Sequence, residues 1–294
     1  MNRIKVKSGN AFLLISLLPA VLILGGFIIL FFWGFYQSLT DMRFGRARVD
    51  FEGFGNYARL FGKVRFWDSV SATAIYAFTA VACEAFLGLA IAKLFNTKAL
   101  LAKWFRPAIL LPLVLPPLSV ALMWTTMMNP GTGVLNYFLS FIGITNFPWT
   151  SSADTAMFAV IFIDVWTFTP FFALIIFAGL RGITPDIIEG ARMNGAKAWG
   201  TFWRIELPLV LPYILLAALF RLIDSLNQFD IIFGTTQGGP GSATDVLSVS
   251  AYYTAFQNLY FGRGAAIMIV NWVMVLISAM VVAKLWQYAR KRVS

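Results

Sequence analysis

The sequence predicts an all-α membrane protein with six transmembrane helices. Of its 294 residues, 59% are hydrophobic and only 12% are charged, whereas a soluble domain averages roughly 25% charged residues. Six apolar runs are also long enough to cross the hydrocarbon core of a bilayer, which takes about 20 helical residues. They cover residues 11–36, 69–94, 104–128, 155–180, 209–234 and 265–286.

The first run follows a basic stretch, NRIKVK, as a cleaved secretory signal would. It is longer than a typical signal core, however, and no small-residue cleavage site follows it, so we expect it to remain as a spanning helix. We divide the chain into an N-terminal part at 1–68, a core of five transmembrane helices at 69–288 and a tail at 289–294. The core contains a loop at 181–208.

The third run contains three prolines, Pro112, Pro116 and Pro117. Proline lacks the N–H that a helix interior requires, and the broken hydrogen bonds survive in a membrane only where the backbone faces protein or a water-filled cavity. A kink that lines a path and a purely structural kink are both compatible with this pattern.

The basic residues indicate the orientation of the chain in the membrane. With six spans both termini lie on one side, together with fifteen Lys and Arg residues, whereas the other side carries seven and its loop at 129–154 carries none. The positive-inside rule therefore predicts that both termini are cytoplasmic. The first group is Arg3, Lys5, Lys7, Lys93, Lys98, Lys103, Arg106, Arg181, Arg192, Lys197, Arg204, Lys284, Arg290, Lys291 and Arg292. The second group is Arg43, Arg46, Arg48, Arg59, Lys63, Arg65 and Arg263.

Several kinds of site are excluded by composition. The chain has no histidine and one cysteine, so it cannot form an internal disulfide or a metal site built on imidazole. We expect that cysteine, Cys83, to be a small buried residue. No phosphate-binding loop of the G-x-x-x-x-G-K-[ST] type is present, so nucleotide-driven transport would need another chain.

The loop at 181–208 reads as two short helices outside the bilayer. Thr184 and Pro185 suit a helix start, and Asp186 suits the positive end of the helix dipole. Gly195 suits the left-handed residue that ends such a helix. A second helix is expected at 198–205, ended by Pro208. On composition alone, the segment could rest on lipid headgroups or dock a cytoplasmic partner.

The spacing within this loop resembles the EAA-loop signature, by which the permeases of ABC importers bind their ATPase subunits. Two positions depart from the usual pattern: Gly190 stands where alanine is common, and Asn194 replaces a frequent aspartate. The matching anchors are Glu189, Ala191, Gly195, Ile205, Leu207 and Pro208.

Further segments resemble the carbohydrate-uptake permeases of the maltose and glycerol-phosphate type, over nearly the whole chain. One segment follows the first span, one ends the third, and one follows the fifth. The last contains a Gly-Gly-Pro run, which resembles the first of the two unlike permease subunits that such importers carry. The residues are Gly53, Phe54, Asn56 and Tyr57; Trp124, Asn129, Pro130, Gly133, Asn136 and Leu139; and Phe229, Asp230, Thr236, Gly238, Gly239 and Pro240.

This resemblance implies a permease of the bacterial inner membrane that imports a sugar or polyol by alternating access. It also implies a second permease subunit, two ATP-binding subunits that hold ATP and Mg²⁺, and an external solute-binding protein. The chain itself would need no cofactor and would not be an enzyme. Two other classes compete: an ion-coupled secondary transporter, although we find no inverted repeat, and a membrane-embedded enzyme, although its carboxylates show no catalytic pattern.

Ionisable residues within the spans are candidate functional groups, because they are costly in a bilayer. Arg221 and Asp224 lie three residues apart and can pair, either to hold the bundle together or to line a substrate path. The amides of Asn227 and Gln228 suit sugar hydroxyls, and we expect them to share a helix face with Asp230. The remaining candidates are Glu84 and Asp164, with aromatic side chains for sugar stacking at Trp166, Phe168 and Phe229.

Overall fold

The computed structural model describes residues 7–45, 48–97 and 100–292. Arg3, Lys5, Arg46 and Lys98, which entered the charge comparison, lie outside these ranges, as do the first six and last two residues of the predicted terminal segments. The described residues form helices and connecting loops, with one isolated bridge between Thr40 and Phe51. This is the predicted all-α class.

The long helices lie close to the predicted spans, with shorter helices between them. They are α1 (Lys7–Ser38), α2 (Gly55–Phe61), α3 (Val64–Phe95), α4 (Leu100–Val114), α5 (Pro117–Met127), α6 (Val134–Ser140), α7 (Ala153–Arg181), α8 (Pro185–Met193), α9 (Ala198–Thr201), α10 (Leu207–Leu226), α11 (Asp230–Thr235), α12 (Leu247–Tyr252) and α13 (Phe261–Lys291). A π-helix at Phe202–Glu206 joins α9 to α10, and a second at Tyr253–Gln257 follows α12. Within the described ranges, five helices are long and apolar enough to cross a membrane, and a bent pair makes a sixth candidate span.

The predicted third span, residues 104–128, is not one continuous helix. It is the pair α4 and α5, which meet at an angle of 104°. Leu115 and Pro116 each precede a proline, and a residue in that position is driven away from helical geometry towards an extended one. Pro116 accordingly has φ −59° and ψ 131°, and Pro117 begins the next helix.

The predicted fifth span, residues 209–234, is also divided. α10 ends at Leu226, Asn227 caps it, and the separate helix α11 begins at Asp230. The Asn227 side chain donates a 2.8 Å hydrogen bond to the carbonyl oxygen of Ile223. Asparagine ends helices in this way because its amide competes for backbone partners. The aspartate at the start of α11 suits the positive end of that helix.

The chain divides into two compact units. The first comprises the described residues up to Gly62 together with Ala251–Ile269. Within it, buried Asn56 donates hydrogen bonds to the carbonyl oxygens of Ser38 (3.0 Å) and Thr40 (2.7 Å). Tyr57 bonds to the Ser38 hydroxyl at 2.6 Å. The Asn-Tyr pair of the sequence motif therefore fixes the loop that follows α1.

The second unit comprises Lys63–Ser250 and the described residues from Val270 onwards, and it contains the main helix packing. α3 packs along α7, and α10 packs against both. Gly88 allows the close crossing of α3 and α7, since a Cβ atom there would lie 2.4 Å from the Cβ atom of Phe172. Small residues serve this purpose between membrane helices because they let the backbones approach. The polar side chains considered below lie in this unit.

Candidate functional site

The predicted two-helix loop is present, and its first helix is α8. It begins at Pro185, with Asp186 in its first turn. Thr184 occupies the capping position, but its hydroxyl makes no capping hydrogen bond. Gly195 follows the helix with φ +80°, the left-handed conformation that the sequence predicts, and its N–H donates to the carbonyl oxygen of Arg192 at 2.9 Å. Glycine adopts this conformation without the steric cost of a side chain.

The second arm differs from the prediction, because Pro208 does not end it. α9, the π-helix and α10 form one apolar helical segment, Ala198–Leu226. Pro208 lies in the first turn of α10, directly after the π-helix, and a local π-helical turn can accommodate the missing N–H within a membrane helix. The segment that begins in the loop therefore continues without a break into the membrane-spanning helix. We refer to α8, α9 and the residues between them as the hairpin.

The hairpin and the adjoining π-helix carry large apolar side chains that none of the described residues covers. Met193 is 90% exposed and Trp199 is 73% exposed, and Ile187 and Trp203 are also exposed. The rings of Trp199 and Trp203 pack edge to face with centroids 5.6 Å apart. A groove of about 610 Å³ lies beside them, between Gly195 and Ile205. Large exposed apolar side chains beside a groove indicate an interaction site.

The remaining signature positions, in the hairpin and at the start of α10, have different surroundings. Glu189 is exposed, and Gly190 and Ala191 are half-buried. Asn194 caps α8 and donates a 2.9 Å hydrogen bond from its side chain to the carbonyl oxygen of Gly190. Leu207 is half-buried and Pro208 is exposed. Asn194 can therefore close the helix in the place of the more frequent aspartate.

A buried ionic cluster joins three of the long helices. Arg221 of α10 donates to both carboxylate oxygens of Glu84 on α3, from Nε and Nη2, each at 2.9 Å. Its Nη2 also donates to Asp164 of α7 at 2.9 Å. The guanidinium carbon lies 3.8 Å from the centroid of the Phe168 ring. Glu84 and Asp164 are completely buried, and Arg221 is 3% exposed.

Asp224 completes this cluster through an ion pair with Nη1 of Arg221, the predicted three-residue pairing. One guanidinium therefore faces three carboxylates. Asp224 differs from the others because its side chain is 59% exposed. The cluster thus has a closed interior, which clamps α3, α7 and α10 together, and one open carboxylate at its edge. A bidentate guanidinium–carboxylate pair fixes orientation as well as distance.

The residues predicted to share a helix face do not lie on one helix. Asn227 is exposed beyond the end of α10, and its side-chain oxygen accepts a 3.0 Å hydrogen bond from buried Asn271 of α13. Gln228 is buried, and its backbone oxygen accepts a hydrogen bond from Ser248 at 2.6 Å. Asp230 is exposed at the start of α11. The break at Asn227 separates these three side chains.

The candidate aromatic residues are placed in packing contacts. Trp166 lies edge to face against Trp124, with centroids 5.3 Å apart, at the border of an apolar cluster that includes Val120 and Ile163. Phe229 stacks on Phe233 at 4.8 Å. Phe168 is the ring beneath Arg221. Among the described residues, no group of three His, Cys, Asp or Glu side chains could hold a metal ion.

The family assignment follows from comparison with known proteins. The family described as "Binding-protein-dependent transport system inner membrane component" matches residues 84–293. The chain belongs to this family. It is 36% identical over 279 residues to the trehalose/maltose transport system permease protein MalF of Thermococcus litoralis, covering 94% of each chain. It is 38% identical over 261 residues to the probable ABC transporter permease protein y4oQ of Sinorhizobium fredii, covering 88% of this chain and 83% of that one.

A solved structure supports the fold of this permease. A chain of a bacterial ABC transporter involved in the import of the acidic polysaccharide alginate superposes with a TM-score of 0.78, over 95% of this chain and 94% of that one. The sequence identity is 22%, so the likeness concerns the fold alone. This all-helical protein is therefore a membrane-embedded, multi-pass transport subunit.

Sequence reasoning missed several contacts of the permease. It identified Glu84 and Asp164 as costly residues but not as partners of Arg221, because the three positions are far apart in sequence. It missed the ion pairs Lys93–Glu206 and Arg65–Asp245, which join the two ends of α3 to other segments. It also expected Cys83 to be buried, whereas Cys83 is exposed on α3 in this chain. A charge just inside a helix end is the signal that could have indicated such pairs.

Proposed function

We propose that this permease imports a carbohydrate or related polyol as one of two membrane subunits of an ABC importer. Its family membership establishes the transport class, and the names of its relatives support the substrate class. Besides the trehalose/maltose permease, the chain is 32% identical to a sulfoquinovosyl glycerol transport system permease protein of Agrobacterium fabrum. It is 29% identical to a multiple sugar-binding transport system permease protein of Streptococcus mutans.

The energy for transport would come from two separate ATP-binding subunits, which hold ATP and Mg²⁺. The single observation that carries this proposal is the uncovered apolar surface of the hairpin around Met193 and Trp199. Exposed Glu189 on α8 would contact the same partner. An external solute-binding protein would deliver the substrate, and a second permease subunit would complete the path.

Transport would use alternating access. The two states of the ATP-binding subunits would contact the hairpin differently. That difference in binding free energy is what shifts the equilibrium between the permease open to the outside and the permease open to the cytoplasm. The helical segment Ala198–Leu226 offers a mechanical route from the hairpin, through the π-helix and into α10, because no loop interrupts it. Its far end contains Asp224 and is capped by Asn227.

The substrate path would run along one face of α10. Phe220 is 55% exposed, exposed Asp224 follows it by four residues and so lies on the same face of α10, and exposed Asn227 caps the end of that helix. Asp224 pairs with Arg221, and the Asn227 amide bonds to Ile223 and Asn271, but both side chains stay exposed, and exposed ionisable and polar groups are costly against lipid. A carboxylate, an amide and an aromatic ring together suit the hydroxyl groups and the apolar face of a sugar.

Co-purification tests the assignment. The permease, expressed with its genomic neighbours and isolated through a tag on this chain, is expected to retain an ATP-binding protein and a second permease. Reconstituted vesicles should accumulate a labelled sugar only with ATP and the binding protein present. A reporter fused near Gly143 should be external and one near Ala198 cytoplasmic, because the loop at 129–154 has no Lys or Arg whereas the loop at 181–208 has four. Uptake without ATP, driven by an ion gradient, would contradict the proposal.

A further inference from the structure

The strongest feature that the proposed function leaves unused is a lysine at the base of the hairpin. Lys93, in the last turn of α3, forms an ion pair with Glu206. Its ammonium nitrogen also lies 5.3 Å from the centroid of the Phe202 ring. Phe202 and Glu206 are the first and last residues of the π-helix. One ammonium group therefore contacts both ends of the segment that joins the hairpin to α10.

The surroundings favour a strong contact. The side chain of Glu206 is 13% exposed and that of Lys93 is 41% exposed. A partly buried pair is screened less by solvent and salt than an exposed one, so each partner depends more on the other. The contact between Lys93 and the Phe202 ring adds a cation–π attraction, which also holds Lys93 to the π-helix.

The position of the pair gives it a mechanical role. A π-helix is a wide turn that interrupts the regular ladder of hydrogen bonds, and helices bend at such turns. The same α3 helix is joined to α10 a second time, through Glu84 and Arg221. With both contacts in place, the segment Ala198–Leu226 is held to α3 at the π-helix and again at Arg221. Without the Lys93–Glu206 pair, only the contact at Arg221 remains.

We propose that Lys93 and Glu206 set the angle between the hairpin and α10, and that they thereby determine how much of the hairpin's movement reaches the substrate path. They are positioning residues, which act through the π-helix and do not touch the substrate. The inference rests on the proposed function, because it requires the hairpin to be driven by an ATP-binding subunit. Glu206 lies between two anchors of the hairpin's sequence pattern, Ile205 and Leu207, but is not itself one of them.

The test measures coupling in the reconstituted complex, as labelled sugar taken up per ATP hydrolysed. Lys93→Met and Glu206→Gln are each expected to lower this ratio about fivefold, the shift in an equilibrium that one partly exposed ion pair can supply. ATP hydrolysis should persist, because the hairpin still docks. Lys93→Arg should keep the ratio near that of the parent protein, since it retains the charge.

Charge reversal separates positioning from folding. Lys93→Glu and Glu206→Lys should each lower the ratio or prevent assembly, and the double variant should restore both assembly and the ratio. The matched control is the ion pair at the other end of α3, Arg65–Asp245, whose Nη2–Oδ2 distance is 3.1 Å. Arg65→Gln is expected to leave the ratio unchanged, because that pair lies far from the hairpin along α3.

Two outcomes would overturn the inference, and they differ from failure of the proposed function. One is an unchanged ratio in Lys93→Met and Glu206→Gln, whatever happens to their melting temperatures. The other is a double charge reversal that assembles no better or couples no better than the single variants. If the unaltered complex takes up sugar without hydrolysing ATP, the proposed function fails at that control, and the inference fails with it.

Discussion

Arg221 donates hydrogen bonds of 2.9 Å to both carboxylate oxygens of Glu84, although the two residues lie 137 positions apart in the sequence. The pair is buried, and Asp164 accepts a further hydrogen bond from the same guanidinium. Desolvating these charges is costly, and mutual attraction compensates only while the geometry is complete. The cluster is therefore sensitive to which partner is removed.

Replacing the arginine should damage the permease more than replacing one carboxylate. Arg221→Met leaves Glu84 and Asp164 buried without their cation, so we expect a loss of about 3–5 kcal/mol of stability. Glu84→Gln keeps the shape of the side chain and leaves one guanidinium with Asp164 and Asp224, so its loss should be smaller. Thermal unfolding of the detergent-solubilised complexes measures both. A Glu84→Gln variant that unfolds at lower temperature than Arg221→Met would contradict this account.

The hairpin offers a matched pair of glycines. Neither Gly190 nor Gly195 has an atom within 4 Å of the position of an added Cβ, but only Gly195 has a positive φ, +80°. Gly195→Val should strain the turn by at least about 1 kcal/mol, the ordinary cost of left-handed backbone, and should lower coupling of ATP hydrolysis to uptake. Gly190→Ala lies within α8, where alanine is a better helix former than glycine.

The expected readout is therefore a loss of coupled uptake in Gly195→Val and none in Gly190→Ala, with both proteins inserted in the membrane. Gly195→Asn should lie between them, because asparagine tolerates the left-handed conformation better than valine. Glu189→Lys tests the docking charge on the same helix and should also uncouple. Normal substrate-stimulated ATP hydrolysis and uptake in Gly195→Val and Glu189→Lys would refute the docking role of the hairpin.

Local chemistry made the hairpin largely predictable from the sequence. Pro185 marks the start of α8, and only a left-handed residue suits the turn at Gly195, so both follow from neighbouring residues. The all-α class and the apolar spans follow from composition in the same way. The π-helix before Pro208 could not be read in this manner, because a proline after an apolar helix usually signals its end.

The ionic cluster and the division of the fifth span depend on tertiary contacts. Glu84, Asp164 and Arg221 come from three helices, and their partnership is fixed by how α3, α7 and α10 cross. At Asn227 the choice between continuing and ending the helix depends on the side-chain amide, which bonds to Ile223 and Asn271. The apolar run in the sequence continues beyond Asn227 to residue 234, which is why the predicted fifth span is longer than α10.

Asp245 should give the stability of the permease a pH dependence. Burial raises the pKa of its carboxyl group above the ordinary value of 3.8, and Arg65 opposes that rise. The folded protein therefore binds the proton more tightly than the unfolded chain does. This stabilising contribution is full below pH 3.8 and is lost as the pH rises through the folded-state pKa.

The comparison with Asp245→Asn isolates this effect, because other titrating groups are common to both proteins. The melting temperature of the parent protein minus that of Asp245→Asn should fall as the pH rises above 3.8 and then become constant. Arg65→Gln removes the opposing charge and should extend the fall to higher pH. A difference that grows with pH would mean that the pairing with Arg65 outweighs burial.

Asn227 and Gln228 are neighbours with opposite environments, which allows the substrate path to be tested against helix bridging. Asn227 is exposed beside Asp224, whereas Gln228 is 8% exposed. Asn227→Ala is expected to lower sugar uptake per assembled complex about tenfold, because losing a hydrogen bond to substrate costs about 1–1.5 kcal/mol. Gln228→Ala should lower the melting temperature while transport by the surviving complexes continues.

One control is needed because Asn227 also accepts a 3.0 Å hydrogen bond from Asn271. Asn271→Leu removes that bridge and leaves the exposed amide of Asn227 in place. If the path runs along α10, Asn271→Leu should change the melting temperature but keep the uptake per complex, unlike Asn227→Ala. If both variants lose uptake equally, the bridge between α10 and α13 is what transport requires, and Asn227 has no direct contact with the sugar.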